Sequence, residues 1–166
     1  MRVRPLAEAD LSLVRAWMRD APEAPVWSDE DLAALVRMPS GDERKVRSGW
    51  IAEEGQSAGV GIAVAAALCV PGTPAECELE FVLVAPHARR QGIGRTLIHA
   101  VFAWASDMEA HEIWLEVRAS NTRALRLYER CGFVVIGGRP GYYVDPSEDA
   151  VLMRCRIGDI PGNAPV

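Results

Sequence analysis

The amino-acid sequence predicts one α/β domain built on a mixed β-sheet. The first observation is the order of the elements: a strand and two helices precede several strands, which are followed by strand–helix units. The second is a length of 166 residues without internal repeats or an interdomain linker, which favours one domain with a full hydrophobic core. The third is an ordinary globular composition, with 49% hydrophobic and 25% charged residues.

The N-terminal part is predicted to form a short strand and two helices. Residues 2–6 have a strand pattern, Asp10 is the predicted N-cap of the first helix, and Ser28 is that of the second. Proline-containing segments at 22–25 and 39–41 end the two helices. The apolar residues at helical spacing are Leu11, Leu13, Val14, Trp17 and Met18 in the first helix and Leu32, Leu35 and Val36 in the second.

The middle of the chain is predicted to contain three strands, at residues 49–53, 59–70 and 79–84. Residues 63–67 are compatible with either a strand or a helix, because periodicity does not distinguish the two in a short apolar run. The Pro-Gly-Thr-Pro segment at 71–74 predicts a loop before the last of these strands.

Two strand–helix units follow. A glycine-rich turn leads into a helix, and Glu112–Arg118 is predicted to be a strand because apolar and polar residues alternate in it. The next helix is predicted to begin at Asn121 and to stop at Gly132. The apolar face of the helix after the glycine turn comprises Leu97, Ile98, Val101, Phe102, Ala105 and Met108.

The C-terminal part is predicted to contain a strand at 133–136, a loop at 137–141 and a last strand at 149–157. The domain is therefore expected to span residues 1–158, and residues 159–166 are expected to form a disordered tail.

Charge and composition exclude several classes of protein. A net charge of −5 and a pI near 5.2 argue against nucleic-acid binding. The longest apolar run has 12 residues, no apolar segment follows the basic start, and a cytoplasmic location without membrane insertion is expected. No metal site is predicted, because the cysteines lack paired spacing and are expected to be small thiols. They are Cys69, Cys77, Cys131 and Cys155.

The glycine-rich turn is the feature that best predicts a ligand. The N–H groups at the start of a helix attract anions, and Gly92 and Gly94 leave the backbone open to a phosphate. Nearby arginines provide positive charge. The turn lacks the lysine and Ser/Thr of a P-loop, and Leu97 stands where a dinucleotide fingerprint has its third glycine.

What does fit is R/Q-x-x-G-x-G/A, formed by Arg89, Gly92 and Gly94, which resembles the acetyl-CoA signature of the GNAT acetyltransferases. The sequences L-E-V-R-A-S-N at 115–121, L-Y-E at 127–129 and G-F at 132–133 are similar to the GNAT group that acetylates protein N-termini. The similarity covers about residues 78–157. It departs at Ala-Pro-His-Ala, residues 85–88, and in the long loop before residue 76.

This resemblance implies the GNAT fold, a single domain whose mixed, mostly antiparallel sheet is flanked by helices. It implies acetyl-CoA as co-substrate and a protein N-terminus, such as that of a ribosomal protein, as acceptor. A small-molecule amine is the alternative acceptor, and a non-catalytic acyl-CoA-binding module is the less favoured reading. The implied acetyl-CoA-binding residues are Val82, Leu83, Val84, Arg89, Arg90, Gln91, Gly92, Ile93, Gly94, Arg95 and Asn121.

Acetyl transfer requires a neutral amine. At pH 7 deprotonation costs about 1 kcal/mol for an α-amine and more than about 4 kcal/mol for a lysine, so a carboxylate is a sufficient base for an N-terminus. Glu116 projects from the polar face of its strand and matches the catalytic glutamate of the similar group. Glu78, Glu80 and a water molecule remain alternatives.

The departing thiolate requires a proton. Tyr128 matches the acid of the similar group, and a tyrosine is protonated at neutral pH. Without the resemblance it would be read as a core aromatic residue, and Asn121 as a helix N-cap only. Tyr142 and Tyr143 are candidates for the acceptor entrance, with packing on an edge strand as the alternative.

Overall fold

The computed structural model describes residues 1–21, 27–36, 45–55 and 59–159. The strands are β1 (Arg2–Pro5), β2 (Lys45–Glu53), β3 (Gly61–Leu68), β4 (Glu76–Val84), β5 (Glu112–Arg118), β6 (Val134–Val144) and β7 (Ser147–Arg156). The α-helices are α1 (Leu11–Arg19), α2 (Asp29–Ala34), α3 (Ile93–Asp107) and α4 (Thr122–Arg130).

The seven strands form one mixed sheet in the order β1-β2-β3-β4-β5-β7-β6. Every neighbouring pair is antiparallel except β4 and β5, which are parallel. Registered pairing between β4 and β5 is confined to Cys77 with Ile113 and Glu78 with Trp114. Beyond these pairs the two strands diverge, which leaves a V-shaped cleft between their C-terminal halves. The predicted mixed, mostly antiparallel sheet is confirmed.

Helices cover the two faces of the sheet unequally. The larger core packs α3 and α4 against one face and contains buried residues such as Leu97, Val101 and Met153. A smaller core packs α1 and α2 against the other face of β2 to β4, around Val14 and Leu32. Among the described residues, this smaller core includes none from β5, β7 or β6.

The two predicted N-caps have different outcomes. Ser28 caps α2 as predicted: its Oγ accepts from the Asp31 N–H at 3.1 Å, and Asp31 Oδ2 accepts from the Ser28 N–H at 2.9 Å. Asp10 is the N-cap residue of α1, as predicted, but its side chain makes no cap hydrogen bond with that helix. Asp10 instead accepts from the Ala7 N–H at 2.8 Å and from Arg4 at 2.7 Å, which fixes the turn before α1 to β1.

The strand predictions hold, with corrected bounds. The ambiguous residues 63–67 belong to β3. The predicted loop at 137–141 is wrong, because β6 continues through it with irregular register on β7 between Val135 and Gly137 and again between Arg139 and Tyr143. The predicted helix ends at 22–25 and 39–41, and the tail from residue 160, lie outside the described residues.

All four cysteines are free thiols, and Cys77, Cys131 and Cys155 are buried, as the sequence predicts for small core thiols. Burial raises the pKa of the Cys131 thiol, which leaves it a weak nucleophile at neutral pH. Among the described residues, no helix combines the length and the apolar character needed to cross a membrane.

Candidate functional site

The glycine turn has the backbone of an anion site. Gly92 is the N-cap of α3 with φ +84°, and Arg90 also has a positive φ of +67°. Nothing lies within 4 Å of the position where a Cβ of Gly92 would be. The first N–H groups of α3 have no partner within the helix, so they remain available to a phosphate in front of this open turn.

Gly94 has a different role from the one predicted. It is buried in the first turn of α3, and a Cβ there would lie 2.9 Å from Leu127 Cδ2 on α4. The absence of a side chain therefore lets α3 and α4 pack closely beside the turn. Ile93 is also buried and anchors the start of α3 in the larger core.

Some side chains of the turn contact the protein backbone, and others are exposed to solvent. Arg89 Nε donates to the Val84 carbonyl at 3.0 Å, which ties the turn to the end of β4. Gln91 Nε2 approaches the His87 carbonyl at 3.5 Å. Arg90 and Arg95 are exposed beside the start of α3, so their guanidinium groups add positive charge where the open N–H groups lie.

The backbone of β4 lines one side of the cleft. The Ala85 N–H bonds to the Val60 carbonyl on the β3 side. Because successive residues of a strand direct their N–H and C=O groups to opposite sides, Val82 and Val84 direct theirs toward the cleft and Leu83 toward β3. Unpaired backbone groups at a strand edge bind an extended ligand readily.

Glu116 lies on the opposite side of the cleft, on β5, and is held from β6. Its Oε1 lies 3.0 Å from Arg139 Nε in a salt bridge, and its side chain is only 8% exposed whereas that of Arg139 is 52% exposed. Glu116 is also the main cause that raises the pKa of Tyr142 to about 12, so this tyrosine lies within interaction range of the carboxylate. The carboxylate is thus held in a defined position.

The two alternative bases have contrasting environments. Glu80 Oε1 accepts from Arg47 Nη2 at 2.8 Å, the same ion pair brings Arg47 Nε to 2.7 Å from Glu80 Oε2, and the Arg47 guanidinium stacks over Trp27 at 5.2 Å. Burial, followed by the charge of Glu80, raises the pKa of Glu78. Glu116 also contributes to this shift, so Glu78 lies within electrostatic range of the candidate base.

The environments of Glu78 and Glu80 predict opposite effects on stability. Folding raises the pKa of Glu78. The folded state therefore loses stability relative to the unfolded state as pH rises above the pKa that this carboxyl has in the unfolded chain. Glu78→Gln should therefore raise the free energy of unfolding at pH 7, and the gain should vanish near pH 4. Glu80→Gln should instead cost about 2 kcal/mol at pH 7, because it removes the less exposed of the two carboxylates paired with Arg47 and leaves only Asp31, at 3.5 Å. Urea unfolding at both pH values measures the difference, and equal effects of the two substitutions would contradict this account.

Tyr128 lies on α4, buried and packed edge-on against Phe133 with ring centroids 5.7 Å apart. Burial is the main cause that raises its pKa above the usual range, so the hydroxyl keeps its proton at neutral pH. Tyr143 contributes to this shift, and Glu116 in turn contributes to the raised pKa of Tyr143. Tyr128 and Glu116 therefore both lie within electrostatic range of Tyr143.

Asn121 is an N-cap, as the sequence predicts, because its Oδ1 accepts from the Ala124 N–H at 3.1 Å. The sequence did not identify Arg139 and Arg47 as site residues. Arg139 falls in the segment predicted as a loop, and Arg47 lies before the predicted start of its strand. The pairing of Arg139 with Glu116 is not visible until the strands are paired.

The sequence profile of the acetyltransferase (GNAT) family matches residues 11–133. The [ribosomal protein bS18]-alanine N-acetyltransferase of Escherichia coli K12 is 40% identical over 84 residues, which are 49% of this chain and 57% of that protein. An N-alpha-acetyltransferase of Saccharolobus solfataricus is 44% identical over 73 residues, which are 43% of each chain. The matches thus span about half the length of these curated relatives.

The structural similarity extends over the whole chain. The crystal structure of the ribosomal-protein-S18-alanine N-acetyltransferase from Escherichia coli superposes with a TM-score of 0.72 at 28% identity. The superposition covers 99% of this chain and 99% of that one. The N-terminal half of the chain therefore also has a counterpart in that structure.

Proposed function

The chain belongs to the GNAT acetyltransferase family, and from that premise we propose that it transfers an acetyl group from acetyl-CoA to the α-amine of a protein N-terminus. The observation that carries the proposal is a fixed carboxylate, Glu116, on one side of the β4–β5 cleft, together with a protonated tyrosine, Tyr128, on α4, both within electrostatic range of Tyr143. This pair supplies the base and the acid that the reaction needs.

The chain's own residues suit acetyl-CoA. The α3 turn at Gly92 offers N–H groups and nearby arginines to the pyrophosphate. The edge of β4 beyond its pairing with β5 offers the backbone groups of Val82 and the Val84 N–H to the pantetheine arm, while the Val84 carbonyl is held by Arg89. Asn121 lies at the start of α4 and would contact the same arm. When bound, acetyl-CoA supplies an acetyl thioester, which is reactive toward a neutral amine.

Glu116 removes the proton of the acceptor ammonium, directly or through a water molecule, so that the amine attacks as a neutral group. Tyr128 donates its proton to the sulfur that departs. The Arg139 and Tyr142 contacts hold the carboxylate in one orientation, which reduces the cost of positioning it for each reaction cycle. Cys131 forms no acyl intermediate, since its buried thiol has a raised pKa.

An N-terminal α-amine is the favoured acceptor for two reasons. Its deprotonation is about 3 kcal/mol cheaper than that of a lysine at pH 7, which a single carboxylate can support. The similar proteins from Escherichia coli and Saccharolobus solfataricus are named for N-terminal acetylation. We further propose a ribosomal protein as acceptor and the cytoplasm as location, where the four free thiols would remain reduced.

The test is an acetyl-CoA consumption assay on three acceptor classes: peptides that begin with alanine, N-terminally blocked peptides that contain lysine, and small amines. Mass spectrometry locates the acetyl group. We expect acetylation of the α-amine of the alanine peptide, with kcat/KM at least about tenfold higher than for the other classes. Transfer to a small amine alone would replace the N-terminal proposal. Tight CoA binding without any transfer would indicate a binding module.

A further inference from the structure

A shallow groove lies on the open face of the sheet where β5, β7 and β6 meet, outside the cleft between β4 and β5. Its volume is about 280 Å³. The groove is lined by Glu112, Trp114, Ile136, Arg139, Leu152 and Arg154. We refer to it as the Trp114 groove. None of these residues has a role in the acetyl transfer derived above except Arg139, which contacts the base.

The groove is continuous with the position of the base. Trp114 precedes Glu116 by two residues on the same face of β5, which places the two side chains roughly 7 Å apart along the strand. Leu152 on β7 is the register partner of Glu116. Arg139 both lines the groove and pairs with Glu116. A chain whose amine reaches Glu116 can therefore place a nearby side chain in the groove.

The lining selects for an apolar side chain. The floor is formed by Trp114, Leu152 and Ile136, of which Ile136 is 47% exposed. Arg154 is already paired with Glu112 at 3.3 Å, and Arg139 with Glu116 at 3.0 Å. A cationic side chain would meet two guanidinium groups, and an acidic one would compete with existing ion pairs. Burying the apolar floor under an apolar side chain has neither cost.

Resting on the proposed N-terminal acetylation, we propose that the Trp114 groove binds a large apolar side chain at the second or third position of the acceptor polypeptide. An extended chain advances about 3.4 Å per residue. Side chains two or three positions into the acceptor thus fall at the distance of Trp114 from Glu116. The groove makes the enzyme selective for the residues that follow the acetylated one.

The test compares alanine-start peptides that carry leucine or alanine at position 2 or 3. We expect leucine at one of these positions to raise kcat/KM about fivefold, chiefly through KM. In Ile136→Ser the preference should fall to about twofold or less. Val135→Ser is the matched control. Val135 directly precedes Ile136 and is 58% exposed, but it pairs with Met153, which belongs to the larger core on the other face of the sheet. The control variant should keep the fivefold preference.

Calorimetric binding of the same peptides to the CoA-loaded protein separates the groove from the reaction. A leucine preference in binding that Ile136→Ser removes would support the groove even if no peptide is acetylated, and the lack of turnover would then count against the proposed function alone. A preference below twofold in both assays, or one that survives Ile136→Ser, would overturn the groove assignment. A stable dimer that Ile136→Ser dissociates would assign the groove to a second copy and overturn it too.

Discussion

Glu116→Gln is expected to lower kcat for an alanine-start peptide by a factor on the order of 10² to 10³. Glutamine retains an oxygen that can accept from Arg139 and Tyr142, which now hold the carboxylate. The substitution therefore removes proton acceptance while the surrounding contacts persist. The KM for acetyl-CoA should change less than about threefold, because the predicted cofactor contacts lie on β4, the α3 turn and the start of α4. Steady-state kinetics at pH 7 measures both parameters.

The pH dependence of the loss of kcat in Glu116→Gln tests directly whether Glu116 is the base. The neutral fraction of an α-amine with a pKa near 8 rises roughly ninefold between pH 7 and pH 9. If Glu116 removes that proton, the deficit of Glu116→Gln should shrink by up to about tenfold over this range. Glu78→Gln and Glu80→Gln serve as parallel variants. A larger loss of kcat in Glu78→Gln than in Glu116→Gln would move the base to Glu78.

The residues of the candidate site that the sequence could predict depend on local pattern. The alternation in Glu112–Arg118 places Glu116 on the polar face of β5, and this is its face in the structure. The glycine turn is also local, because strand end, positive-φ glycine and helix start lie within about ten residues. Local pattern could not predict the packing role of Gly94, because the side chain that a Cβ at this position would meet is Leu127 on another helix.

The contacts that surround the carboxylates depend on long-range pairing. Arg139 reaches Glu116 because β6 continues past its glycines with two register shifts, and neither shift has a sequence signal that periodicity would detect. Arg47 reaches Glu80 across 33 positions of sequence, from a strand whose first residues lack an apolar pattern. The sequence thus offered Glu116 as the candidate base with Glu78 and Glu80 as alternatives, and the fold distinguishes the three carboxylates by burial and by partner.

Tyr128→Phe is expected to lower kcat by a factor on the order of 10 to 10², because the departing thiolate loses its proton donor. Phenylalanine keeps the edge-on packing against Phe133, so the fold should tolerate the change. Burial raises the pKa of Tyr128 above its usual range, so the hydroxyl stays protonated throughout a pH 6–9 profile. Loss of this donor should therefore lower kcat by a similar factor at every pH, unlike the pH-dependent deficit of Glu116→Gln.

Tyr143→Phe provides the comparison. It removes a hydroxyl from the same neighbourhood and keeps a ring under the Arg118 guanidinium, which lies 4.2 Å from the ring centre. If Tyr128 is the acid, Tyr143→Phe should leave kcat within about threefold and act mainly on the KM for the acceptor. Thiol release followed with a thiol-reactive dye measures kcat for both variants. Full activity of Tyr128→Phe would leave proton donation to water and make Tyr128 a packing residue, which is how its burial alone would be read.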